Sequence, residues 1–422
     1  MGLAIMVTAP LLFYILIFMC LKKSGLICLA KGYTKTDYLF LEVIFAIVTI
    51  FIYLMVKKDQ YIYFWDYGRE WRTAIIVKDS LLKTPMFELK NIYNSINTED
   101  YNRFMPMLIT LPLYLFGSSY KAFVVLVGIL YLCPAIFVIT LLIDKTIRLL
   151  DMKKPNVVMI CLIVALTPIL HYVLLNSFMD PPELMLVASV LALSIDIDYG
   201  KMNFSKDALI ATCLLLSVLF RRHFAYFGVG FAVSQFLYFG LKVISVNKGQ
   251  RKRYLLYFVC NMFLIGGIVV TVLLFLFKPF VIRSMFTDYS VKHQAWNQTL
   301  NEKLYRMVEV FGWIYLLIFM VIPLVYSIIK RKFNIVIPVL LNALVVTVLM
   351  WRVQELNYHQ YYLIIVQVVL LFCIGVFGLS GKLSKIPKMV FNCFLQVLFG
   401  QSCKTFLDIV ACPNWTKLQS FG

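Results

Sequence analysis

The chain has 422 residues, 62% of them hydrophobic and 14% charged, with a mean hydropathy of +0.85 and a formal charge of +19. Soluble domains carry roughly 25% charged residues, so this composition excludes a water-soluble globule and implies an all-α polytopic membrane protein. Lys and Arg sit in short loops between apolar runs, where they set topology and meet anionic lipid, so the partner implied is the bilayer and not nucleic acid.

Residues 4–21 form the first apolar run, and Lys22, Lys23, Lys31 and Lys35 follow it. The run has no basic leader and no small-residue cleavage site, so it reads as a span rather than a cleavable signal. The positive-inside rule puts the N-terminus outside and 22–37 in the cytoplasm. A second span at 38–56 returns the chain outside, and 57–121 is the first long external loop. It opens on Tyr61-Ile62-Tyr63-Phe64-Trp65-Asp66-Tyr67-Gly68-Arg69-Glu70-Trp71. Trp71 to Leu82 has apolar residues at helical spacing among Arg72, Lys78 and Asp79, which suits a helix lying flat in the interface. Phe104 to Phe116 is apolar, too short to span, and holds two prolines.

Further spans are expected at 122–143, 156–175, 182–198, 207–220, 224–244, 254–277, 311–329, 334–350 and 361–380, about eleven in all (ten to twelve). The basic loops between them fall on the cytoplasmic side. The apolar run 389–400 is too short to span with ease. Two regions result: a transmembrane domain over 1–380, and a cytoplasmic or interfacial tail over 381–422. No internal repeat is evident. The ten cysteines have no metal-ligand spacing, and most lie in apolar runs, where a thiol behaves as a small hydrophobe. No P-loop, Gly-rich nucleotide fingerprint or zinc spacing is present, so a cytosolic nucleotide site is unsupported and no cofactor is expected; a divalent metal between two acids stays open, with no motif that supports it.

Four constellations fall on the outer face under this topology. Asp66 and Glu70, four residues apart, would share a helix face, and an acid beside Trp65 and Tyr67 is open to desolvation and proton transfer. A belt of interfacial aromatics with solvated charges fits the same residues. Asp180, before Pro181-Pro182, is either a helix cap or a second acid of the same cavity. Arg221-Arg222-His223 interrupts a long apolar region; lipid phosphate met by snorkelling and a bound substrate phosphate are both open. Arg352, with His359 and Tyr361, is either another aromatic belt or a further wall of that cavity.

The ordered set resembles the GT-C superfamily of polytopic glycosyltransferases, in particular its mannosyltransferase and aminoarabinose-transferase-like branch. The matching features are an acid in the first long external loop (Tyr63-Phe64-Trp65-Asp66-Tyr67) and a proline-led stretch closing that loop (Pro106 to Ala122). Beyond the loop come an acid before an apolar helix (Met179-Asp180-Pro181), a basic break between two helices (Arg221-Arg222-His223) and a Tyr-rich helix start (His359-Gln360-Tyr361-Tyr362). The family's His-Pro-Pro variant is replaced by Arg103-Phe104-Met105-Pro106, and an extra span precedes the loop.

The resemblance implies inverting transfer of a sugar from a polyprenyl-phosphate or dolichyl-phosphate donor to a glycan, lipid or protein acceptor at the external face. Asp66 would be the general base, with Asp180 and Glu70 beside it. Arg221, Arg222, His223 and Arg352 would hold donor phosphate, and Trp65, Tyr67, His359 and Tyr361 would line the substrate site. The lipid-phosphate branch often works without metal. Abundant Lys, Ile, Phe and Asn point to an AT-rich, bacterial source and its cell membrane. Two alternatives stand beside this expectation: an O-antigen-type polysaccharide polymerase or ligase, and a lipid-linked-sugar flippase or transporter. A transporter predicts broken helices and repeated halves.

Overall fold

The computed structural model describes residues 1–58, 68–152, 156–176, 178–287, 298–353 and 361–382. Among these there are helices and no strands, and the architecture is that of an all-α membrane protein.

The chain starts with α1 (Gly2–Lys23), whose apolar run ends on Lys22 and Lys23; a short α2 (Leu26–Ala30) follows Gly25. Helix α3 (Lys35–Lys58) is the second long apolar helix. After Gly68 come α4 (Arg69–Lys83) and α5 (Pro85–Thr98), the latter with proline in its first turn, where no donor is lost. The buried residues of α4 are Glu70, Ala74, Val77 and Leu81, the spacing of one helix face. Val77 and Leu81 pack on Met6, Ile92 and Met107. Helix α1 comes so close to α4 that a β-carbon on Gly2 would lie 1.9 Å from the Leu81 carbonyl oxygen.

The stretch expected at 104–116 is a 3-10 turn at Pro106–Ile109 running into α6 (Thr110–Phe116). Helix α7 (Tyr120–Val127) continues through a π turn (Gly128–Leu132) into α8 (Cys133–Leu149). The expected span at 156–175 is a broken pair, α9 (Val157–Ala165) and α10 (Pro168–Leu175), bent by 45°. Pro168 supplies the break, since it cannot donate to the preceding turn.

Helix α11 (Pro181–Ser194) is buried along its whole length and packs on α1, α8 and on α12 (Phe204–Phe220). Helices α13 (Ala225–Ser245) and α14 (Lys248–Leu276) follow, then α15 (Lys278–Phe286), α16 (Leu300–Phe311), α17 (Trp313–Lys330), α18 (Phe333–Val353) and α19 (Tyr362–Lys382). Helix α19 is a second inner helix, buried from Tyr362 to Val376, and packs against α17 and α18.

Among the described residues, five helices are long and apolar enough to cross a membrane, six if the bent pair counts as one. The spans expected at 182–198, 311–329, 334–350 and 361–380 fall on shorter apolar helices; α11, with 14 residues, rises only about 21 Å. The outer helices carry the lipid-type surface: only 11% of the apolar window of α14 is buried. The run 389–400 and the tail beyond 382 lie outside the described residues.

Polar groups gather at the two ends of this bundle. At one end, Lys145 donates to the Ser24 and Ala192 carbonyls and pairs with Asp196 at 2.9 Å, and Lys206 pairs with Asp196 at 3.1 Å. Nearby, Asp144 accepts from Tyr33 at 2.8 Å and from Arg148. The start of α4, the start of α11 and the end of α12 meet at the opposite end.

Candidate functional site

The second end is built on Asn102. Its amide donates to the carbonyls of Leu219 at 2.7 Å and Phe220 at 3.2 Å, and its side-chain oxygen accepts the Phe104 N–H. These are carbonyls that the end of α12 leaves without helical partners. Their capture lays residues 99–104 across the end of α12. The loop is also tied to α5: Arg103 pairs with the fully buried Glu88 at 3.1 Å, and its N–H donates to Ser95.

This placement makes a buried cluster around Arg221. Its Nη2 holds Glu70 Oε1, and its Nε lies 2.9 Å from Asp180 Oδ1. The Asp180 approach is off the N–H direction, so it acts as an ion pair rather than an aligned hydrogen bond. The other Glu70 oxygen accepts the Met179 N–H, so both its oxygens are engaged. The rings of Tyr101 and Phe178 lie 5.0 and 5.1 Å from the guanidinium carbon, within cation–π range. All three charged side chains are nearly closed to solvent, at 4% for Arg221, 5% for Glu70 and 2% for Asp180.

Burial pushes the Asp180 carboxyl up to about 7; Arg221 opposes that shift and Glu70 adds to it. Burial also works against the charge on Arg221, but Asp180 and Glu70 outweigh it and its charged form is reinforced. Asp180 occupies the cap position of α11 without a side-chain capping bond, since its carboxylate is turned to Arg221.

Among the sequence-derived candidates, the structure brings together Glu70, Asp180 and Arg221. Arg222 pairs instead with Asp100 at 2.7 Å, and His223 is half-buried in the same 3-10 turn, Arg222–Phe224. Tyr361 is buried and packs edge-on against Phe311. Arg352 falls within α18, and its side chain is outside the described residues. Asp66, Trp65, Tyr67 and His359 are outside them altogether.

Four residues of this end carried no assigned role in the sequence. Asp100 and Tyr101 sit in the middle of a loop without pattern. Arg283, on α15, reaches Asp100 at 3.5 Å and donates to the Glu99 carbonyl at 2.7 Å. Glu183, three residues after Asp180, is fully buried. It faces Ser217, yet neither carboxyl oxygen makes a hydrogen bond to any described residue. An acid inside an otherwise uncharged helical run was the one sequence signal that marked it.

Among the described residues, no three His, Cys, Asp or Glu side chains are grouped as a metal site. A cavity lined by Ser194, Phe231, Ser234, Gln235, Tyr238 and Asn342 lies toward the other end of the bundle, away from this cluster. In comparisons with known proteins, no family model and no curated protein matches the chain.

Proposed function

We propose that the chain is a membrane glycosyltransferase of GT-C type, with about eleven spans, working at the external face. It would move a sugar from a polyprenyl-phosphate donor to a glycan, lipid or protein acceptor. Asp66 is the general base: it takes the proton of the acceptor hydroxyl as that oxygen attacks the anomeric carbon. The bond from that carbon to the phosphate oxygen breaks, and polyprenyl phosphate leaves. Cationic side chains at this end stabilise its charge.

The observation that carries this reading is the cluster of Glu70, Asp180 and Arg221. Three connections far apart in sequence meet at one end of the bundle, with acids and arginines held away from water. Low local dielectric strengthens such groups when charge develops on a substrate. Asp66 is preferred to Glu70 as base because both Glu70 oxygens already accept bonds. Glu70 serves as the clamp that ties the first loop to the Asp180 connection, and Asp180 holds Arg221. The test is transfer from a radiolabelled polyprenyl-phosphate sugar in membranes carrying wild type or Asp66→Asn. Equal transfer in both removes Asp66 from the mechanism.

The break between α9 and α10 favours one other reading, a lipid-linked-sugar flippase, since transporters use discontinuous helices. Reconstituted protein that moves a fluorescent polyprenyl-linked sugar between leaflets, without transferring it, would decide for that reading.

A further inference from the structure

We propose that Glu183 is a proton-binding site: its carboxyl holds a proton shared with the Ser217 hydroxyl, and this proton sets how firmly Arg221 ties down the first loop. The proton site rests on burial and on the charge count at this end of the bundle; what it regulates rests on the transferase reading.

Three carboxyls are buried here against one guanidinium. Arg221 answers Glu70 through Nη2 and Asp180 through Nε, the latter at 2.9 Å. Glu183 is fully closed to solvent and within electrostatic reach of all three groups, yet neither of its oxygens is hydrogen-bonded to a described residue. The Ser217 hydroxyl beside it is buried and equally unanswered. A first helical turn normally offers a carboxylate free N–H groups and the positive end of the dipole. In α11 the first two positions are Pro181 and Pro182, which have no N–H to give. The Glu183 N–H itself donates to the Asp180 carbonyl at 2.9 Å. An ionised carboxylate in this place would have neither water nor a donor, a cost that a bound cation removes.

The cation that fits is a proton. Hard metal ions take about six or more oxygens, and Glu183 and Ser217 supply one carboxylate and one hydroxyl. No three His, Cys, Asp or Glu side chains are grouped as a metal site among the described residues. A carboxylic acid needs no such shell: its O–H donates to the Ser217 oxygen, and one proton serves both orphan groups. Among the described residues no second cation competes for the place. Helix α11 packs on α1, α8, α12, α19 and the π turn before α8. Asp207 of α12 and Asp144, Lys145 and Arg148 of α8 lie toward the opposite end. The hydroxyls of Tyr14, Tyr131 and Tyr362 donate to the carbonyls of Leu130, Leu108 and Leu170, and the Cys20 and Cys213 thiols face each other. While the proton is bound, Arg221 serves two carboxylates. When it leaves, a third negative charge draws on the same guanidinium, and the Glu70 clamp on the first loop weakens.

Infrared difference spectra of the full-length protein in detergent, recorded near neutral pH in ordinary and heavy water, read this proton directly. Wild type should show the C=O band of a protonated carboxylic acid, which Glu183→Gln removes and Asp180→Asn leaves. Ser217→Ala should shift that band to higher frequency, because its hydrogen bond is gone; this arm carries the test if Glu183→Gln does not fold. Elemental analysis of the same protein should find no metal ion bound in a fixed ratio. The regulatory half is read from a double-mutant cycle on Arg221 and Glu70. Their coupling should shrink toward alkaline pH in wild type and hold constant on a Glu183→Gln background, since the amide keeps the neutral state of the acid at every pH. A band that Glu183→Gln leaves in place, a band that Asp180→Asn removes, or a metal ion bound one to one overturns the proposal. So does a coupling in wild type that is indifferent to pH. A protein that shows the Glu183 band and transfers no sugar keeps the proton site and removes the transferase reading.

Discussion

Arg221 Nε lies 2.9 Å from Asp180 Oδ1 while the same guanidinium holds Glu70, 151 residues away in sequence, and all three side chains are buried. One cation therefore joins the first loop, the start of α11 and the end of α12. Removing it leaves two carboxylates in a low-dielectric site, so Arg221→Gln should cost about 3–5 kcal/mol of stability. Thermal unfolding in detergent measures this. The Arg221→Gln and Glu70→Gln changes should also be coupled by at least about 1 kcal/mol in a double-mutant cycle. Additive effects would show that the pair contributes nothing beyond its members.

The Asp180 carboxyl, pushed up to about 7 by burial, makes stability depend on pH. Its folded-state value lies above its ordinary value of 3.8, so the folded protein holds this proton more tightly than the unfolded chain does. The resulting stabilisation is fully present below the ordinary value and is lost as pH rises through about 7. Melting temperatures should therefore fall between pH 5 and pH 8 (roughly that window), and Asp180→Asn should flatten that part of the curve. A rise across the same range would mean that Arg221 outweighs burial.

Asp66 and Glu70 should separate when activity and stability are measured together. Asp66→Asn is expected to abolish transfer with little change in melting temperature, since a catalytic base works through its proton. Glu70→Gln is expected to lower both, because it loosens Arg221 and the Met179 N–H. A stable Glu70→Gln protein without activity, beside an active Asp66→Asn, would exchange their roles.

The helices were legible because apolar runs and loop charges are local features. The face of α4 follows from residues at positions 70, 74, 77 and 81, whereas the break at Pro168 interrupts what hydropathy presents as one span, 156–175. Span length was less legible: hydropathy cannot distinguish α11, an inner helix of 14 residues, from one that meets lipid. Arg221 stood out as a cation in an apolar region, but a sequence does not show whether a carboxylate or a phosphate answers it. That depends on Asn102 laying its loop on α12, and the same packing brings Asp100 and Arg283 together over 183 residues. Neither residue belongs to a local pattern.

The two polar ends should face opposite sides of the membrane. Cys28, exposed on α2, belongs to the Lys145–Asp196 end, and Glu99 belongs to the Arg221 end. An impermeant thiol reagent added to intact cells should label Glu99→Cys and spare Cys28, with Cys28→Ser as the comparison that isolates that thiol. Disrupted membranes should label both. Labelling of Cys28 from outside would invert the topology, and would take the proposed donor and acceptor with it.

Gly68 joins the segment that carries Asp66 to α4, and its φ of 80° lies in the left-handed region. Its carbonyl accepts the Arg72 N–H at 3.0 Å and so opens the helix. A β-carbon there costs about 1–2 kcal/mol, and relief of that strain would alter the backbone where the chain enters α4. Gly68→Ala should therefore reduce transfer by more than its modest loss of stability explains. Gly68→Asn should be milder, since Asn tolerates this conformation better than other non-glycine residues. Equal effects of Ala and Asn would show that the missing side chain, and not the backbone angle, is what the site requires at position 68.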